Sequence, residues 1–137
     1  MKFYDRLALA SGENFQLSEA STKALGRLGD IHRQLGHRQQ SLDRYANAQT
    51  KLQRLMIDHP QHMRLAVESA RIHNEMGRVY FVDGNYPEAQ HSHQQALDIL
   101  DDANATNNEA MGLYEQACTH YYLGRRLQVS ASRVAME

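Results

Sequence analysis

The sequence coincides with itself when displaced by 48 residues, and that periodicity limits what the chain can fold into more than any other feature. Arg6 falls on Arg54, Leu7 on Leu55, Leu17 on Leu65 and Ser21 on Ser69. Gly29 meets Gly77, Gly36 meets Gly84, Ala48 meets Ala96 and Leu52 meets Leu100. Conservative pairs fill in between: Leu28 with Met76, Ile31 with Val79, Ser41 with Ala89. A fainter third copy is offset by 40 residues, placing Gly84 on Gly124 and Gly77 on Ala117. A fixed period of this kind marks stacked supersecondary units, each too small to bury its apolar face alone.

Each unit reads as two helices. In LGDIHRQLG and MGRVYFVDG the apolar residues recur at i, i+3, i+4 and i+7. The second glycine of each pair, Gly36 or Gly84, ends the first helix in a left-handed C-cap. Pro87 stands near the start of the following helix, and Pro60 breaks the chain before another begins. Gly29 and Gly77 lie mid-helix, where glycine costs about 1 kcal/mol relative to alanine. A helix passing close overhead accounts for them. The expected near approaches are to Ser41 and Ala48 in the first unit, and to Ala89 and Ala96 in the second. Leu25, Leu28, Tyr45, Tyr80 and Leu97 are expected to fill the space between. With no β-branched run of strand length, the fold class is all-α.

These residues resemble the tetratricopeptide repeat, whose core is L-G-x-x-Y, a turn glycine, then Ala, an aromatic and Ala. Leu28-Gly29, Gly36, Ser41, Tyr45 and Ala48 fit it, as do Met76-Gly77, Tyr80, Gly84, Tyr86, Ala89, Ala96 and Leu97. Departures are His32 in place of Tyr and His93 in place of the aromatic; the third unit keeps only Ala117, Tyr121 and Gly124. The resemblance spans about residues 20 to 137. It implies a right-handed α-solenoid of antiparallel helix pairs, with about three repeats and roughly seven helices. The boundaries are a single domain over 1–137: a tail helix at 1–12, then repeats at 15–60, 61–104 and 106–137. The 48-residue period exceeds the usual length, and with the phrase RL…HP… it resembles repeats appended to bacterial serine/threonine protein kinases. No kinase motif is present. FYDRLALA aligns with the end of the second helix, QRLMID, and neither end carries a polar capping face. The expectation is therefore a piece of a longer protein, or ends that pair with something.

Composition narrows the function classes. Fifteen Lys and Arg against sixteen Asp and Glu give a formal net charge of -1, which exerts no global pull on nucleic acid or on an anionic membrane. No apolar run approaches the roughly 20 residues of a membrane span. The single cysteine, Cys118, excludes an intrachain disulfide and tilts the expectation toward a reducing, cytoplasmic setting.

Chemistry finds no foothold. The eight histidines include His91 and His93, which two apart on a helix point about 200° away from each other. His59 and His62 flank Pro60 without a cysteine or carboxylate cluster to join them. His32, His73 and His120 recur on first helices as packing residues. Cys118 and His120 diverge on a helix, and no glycine-rich phosphate loop exists. No metal, cofactor or catalytic residue is expected, and the chain is read as a non-enzyme.

The resemblance implies which positions line the concave groove. They are Lys23, Gly26, Asp30 and Arg33, then Arg71, Asn74, Arg78 and Phe81, then Met111, Tyr114, Cys118 and Tyr121, with Arg27 alongside. Family members that clamp a peptide C-terminus use Lys and Asn here; Gly26 and Asp30 replace two of that set. Such a groove begins basic and ends aromatic, suiting a protein or peptide partner with an acidic group at one end. The expected function is a non-catalytic interaction scaffold. The alternatives are a self-association module, a homo-oligomer formed through the end helices, and a regulatory or sensor segment of a larger signalling protein such as a kinase.

Overall fold

The computed structural model describes residues 15–106 and 115–124. Among them every regular element is helical and none is a strand. Helix α1 is Phe15–Gln34, α2 is Arg38–Asp58, α3 is Met63–Val82 and α4 is Tyr86–Thr106. Residues 115–124 form α5. Five helices, rather than seven, thus lie among the described residues. The expected tail helix at 1–12 and the last helix of the third repeat fall outside them. The chain divides into two compact units, residues 1–61 and 62–137.

The turns follow directly from the paired glycines. Gly36 and Gly84 hold φ of 79° and 78°, a left-handed conformation that any side chain would strain. Around Gly36 the His37 amide donates to the His32 carbonyl at 2.8 Å and the Gly36 amide to Arg33 at 3.1 Å. Around Gly84 the same pair recurs, Asn85 to Tyr80 at 2.9 Å and Gly84 to Phe81 at 3.0 Å. This crossed pair is the Schellman motif, which satisfies the last carbonyls of a helix while turning the chain. Each turn therefore folds a second helix back onto the first.

In the first unit, α2 lies on α1 at Gly29. A Cβ built on Gly29 would stand 2.5 Å from the Tyr45 ring, so only glycine fits. Ser41 donates its hydroxyl to the Gly29 carbonyl at 2.8 Å, and the Tyr45 hydroxyl donates to Asp30 at 2.6 Å. In the second unit a Cβ on Gly77 would stand 2.5 Å from the His93 ring. The expected approach of the returning helix to each mid-helix glycine is present, with Ser41 meeting Gly29 through its hydroxyl hydrogen bond. Ser41, Ala48, Ala89 and Ala96 are fully buried, but what rests on each glycine is the ring one helical turn along. The glycine opens a notch, and the ring fills it.

The expected space-fillers also divide. Tyr45 is fully buried, while Leu25, Tyr80 and Leu97 are only half-buried. Leu28 is 40% exposed, because it lies about 100° around the helix from Gly29. Among the described residues, an apolar core in the second unit joins Met63, Val67, Ala70, Ala96 and Leu100, with Ala103 packed against them.

Candidate functional site

Of the charged residues expected to line a groove, Lys23, Arg27, Arg71 and Arg78 are paired with acidic residues on their own helices. Lys23 lies 3.9 Å from Glu19, and Arg27 is 3.5 Å from Asp30, which also receives the Tyr45 hydroxyl. Arg71 reaches Glu68 with two nitrogens, at 3.0 and 3.2 Å. Arg78 reaches Glu75 at 3.2 and 3.3 Å. Arg33 is half-buried. Each ion pair joins residues three or four apart on one helix, a spacing that favours such pairs. The predicted basic stretch is therefore an alternation of both signs.

Asn74, at the centre of the row, is 2% exposed and spends its side chain inside the protein. Its amide nitrogen donates to Glu115 at 2.8 Å and to Thr119 at 2.9 Å, both on α5. Its oxygen faces His93 Nδ1 at 2.9 Å, which assigns the imidazole proton to Nδ1, since an amide oxygen only accepts. His93 is fully buried and stacks on Tyr122, with centroids 5.0 Å apart and planes 14° from parallel. Gln116 adds a 2.6 Å bond to Asp101 on α4. Thus α5 takes up Asn74, one of the residues of α3 that the family resemblance assigns to a ligand. Burial pushes the Glu115 carboxyl above its usual value, against the pull of the Asn74 bond and of Arg71; Glu75 and Glu68 push it further up. Burial likewise raises Tyr122.

The rest of the row is mixed. Phe81 is half-buried with its ring 5.2 Å from Tyr86. Cys118 is half-buried, and Tyr121 is 62% exposed beside Tyr122. Met111 and Tyr114 lie outside the described residues. Position in the repeat is what singles out Asn74 in the sequence. The network that consumes it joins residues 41 and 45 apart, a distance no local pattern conveys.

A different surface escapes the sequence reading. The buried residues of α1 are Thr22, Gly26 and Gly29. Phe15, Leu17 and Leu25 are half-buried, but towards its C-terminal end Leu28, Ile31 and, one residue past the helix, Leu35 are 40%, 50% and 63% exposed. Their i, i+3, i+7 spacing places them on one stripe, which Ala24 extends on its exposed side. Towards that end the helix is amphipathic with its small and polar face inward. The signal is present in the sequence, since the apolar stripe and the glycine notch occupy different sides of the wheel.

No group of three or more His, Cys, Asp or Glu able to hold a metal ion occurs among the described residues. Among those residues, too, no helix is long and apolar enough to cross a membrane. No family model, no curated protein and no solved structure matches the chain.

Proposed function

We propose that this chain is a non-catalytic docking module of tetratricopeptide-like hairpins, which takes a partner helix or peptide segment along the outward stripe of α1. The observation that carries the reading is the exposure of Leu28 and Ile31 on α1 and of Leu35 just past its end, on a helix whose fully buried residues are Thr22, Gly26 and Gly29. A contiguous apolar surface rimmed by polar groups is a mark of protein interaction. Covering a large aliphatic side chain contributes about 1.5–3 kcal/mol when it passes from full exposure to full burial. Three such residues at helical spacing match the anchors by which an amphipathic helix is held in a groove. A reducing compartment such as the cytoplasm suits a module with one thiol.

The basic row is the competing proposal, and one experiment separates the two. Ile31→Glu with Leu35→Glu should abolish retention of the partner while leaving helicity and melting intact, because both side chains are exposed. Arg71→Glu with Arg78→Glu should leave retention unchanged. The reverse outcome rejects the stripe in favour of the row. The same stripe also favours a second reading, self-association through α1. Light scattering over a range of concentrations decides it, since a monomer throughout leaves a foreign partner as the occupant.

A further inference from the structure

We propose that His32 and His37 form a two-histidine site for a borderline divalent transition-metal ion, of the class Cu2+, Ni2+ or Zn2+. Their Nδ1 atoms stand 3.2 Å apart, with ring centroids at 5.5 Å. Five apart in sequence, they do not share a continuous helix face. The Schellman turn brings them together: the hydrogen bond that spans the turn runs from the His37 amide to the His32 carbonyl at 2.8 Å. That bond fixes both backbones, and hence the separation of both side chains, before any ligand arrives. In this motif the paired positions usually hold an apolar contact; here they hold two imidazoles.

The geometry suits chelation. An imidazole nitrogen binds such an ion at about 2.0–2.1 Å, so nitrogens 3.2 Å apart subtend about 100° at the metal. That lies between the right angle of a square-planar site and the tetrahedral angle, the arrangements these ions adopt with nitrogen ligands. In the metal-free protein one Nδ1–H donates to the other Nδ1. On binding, that proton moves to Nε2 through solvent, so that both Nδ1 lone pairs face the ion. His37 occupies the N-cap position of α2 but makes no side-chain capping bond, so rotating its ring onto a metal breaks no helix cap. His37 is exposed and His32 half-buried, leaving room for water at the remaining coordination positions.

The second hairpin supplies an internal control. Its turn has the same backbone, but Tyr80 and Asn85 take the two positions, and neither is an imidazole. A bound ion would tie the end of α1 to the start of α2 beside Leu35. The site stands whether or not the stripe takes a partner.

Calorimetric titration of the full chain with CuCl2, NiCl2 and ZnCl2, in a non-coordinating buffer near pH 7.5, tests the proposal. One saturable ion per chain is expected. Two tethered ligands gain by effective concentration, so His32→Ala or His37→Ala should each weaken binding on the order of 100-fold. Paramagnetic Cu2+ should broaden amide resonances around residues 32–38 and spare those around 80–86. Binding left unchanged by both substitutions, broadening centred on other histidines, or no saturable binding would each overturn it.

Discussion

The two hairpins share a turn, a notch and a register, yet they bury different things. In the first, α1 contributes Thr22, Gly26 and Gly29 to the interior. In the second, α3 contributes Met63, Leu65, Ala66, Val67, Ala70, Ile72 and Val79 along with Ser69, Asn74 and Gly77. The ring over the glycine is Tyr45 in one and His93 in the other, at equivalent positions of the repeat. Tyr45 ends its hydroxyl on Asp30 of the same hairpin. His93 donates to Asn74, and through it the hairpin binds α5. One repeat plan thus yields a hairpin closed by an aromatic ring, with its apolar stripe outward, and a hairpin built to hold a third helix. The difference lies in a few side chains at fixed positions of a common backbone.

The comparison is broken most severely at Tyr45. Tyr45→Ala removes a fully buried ring from the hairpin with fewer buried apolar residues among those described, at a cost of about 3–5 kcal/mol. Hydrogen exchange should show protection lost across α1 and α2 and kept across α3 and α4. Equal loss in both would mean that the hairpins do not behave as separate units.

Acid should distinguish them next. Burial, followed by the charge of His91, lowers His73 on α3 from its usual 6.5 to about 4. The unfolded chain therefore binds a proton near pH 6.5 that the folded second unit refuses until about pH 4. Stability of the second unit should fall across that window, on the order of 3 kcal/mol, and His73→Phe should flatten the curve. Glu115 works with the opposite sign: its carboxyl is raised in the docked state, so its contribution is present at low pH and lost as pH rises through the raised value. Glu115→Gln removes that opposing slope. Steepening of the acid loss in this variant, read by fluorescence or circular dichroism, checks the assignment.

The smallest effect should be the same in both hairpins. Gly36 and Gly84 have positive φ, and no neighbouring atom lies within 4 Å of the place a Cβ would take, so only backbone strain opposes a side chain. Gly36→Ala and Gly84→Ala should each cost about 1–2 kcal/mol. A clear inequality in denaturant midpoints would show that the two turns are not equivalent.

Much of the fold was legible because it is local. The glycines that end helices, the prolines that bound them and the 48-residue register needed no knowledge of distant contacts. The mid-helix glycines announced a close approach as well, though not what approaches. Ring and methyl both fit the demand for proximity, and only the path of the returning helix chose the ring. The row of candidate residues came from a resemblance that fixes positions on a helix. It could not show that Glu68 and Glu75 neutralise Arg71 and Arg78, although three-residue spacing makes those pairs readable in principle.

What the amino-acid order alone determined is where helices begin, end and double back, since backbone sterics and hydrogen bonding act over four or five residues. Which side of each helix meets its neighbour was settled only in three dimensions, although on α1 the order of residues already sets the apolar stripe apart from the glycine notch. Packing is settled by shape across residues far apart in the chain, and it turned Leu28, Ile31 and Leu35 outward, drew Asn74 beneath α5, and set two histidine nitrogens 3.2 Å apart.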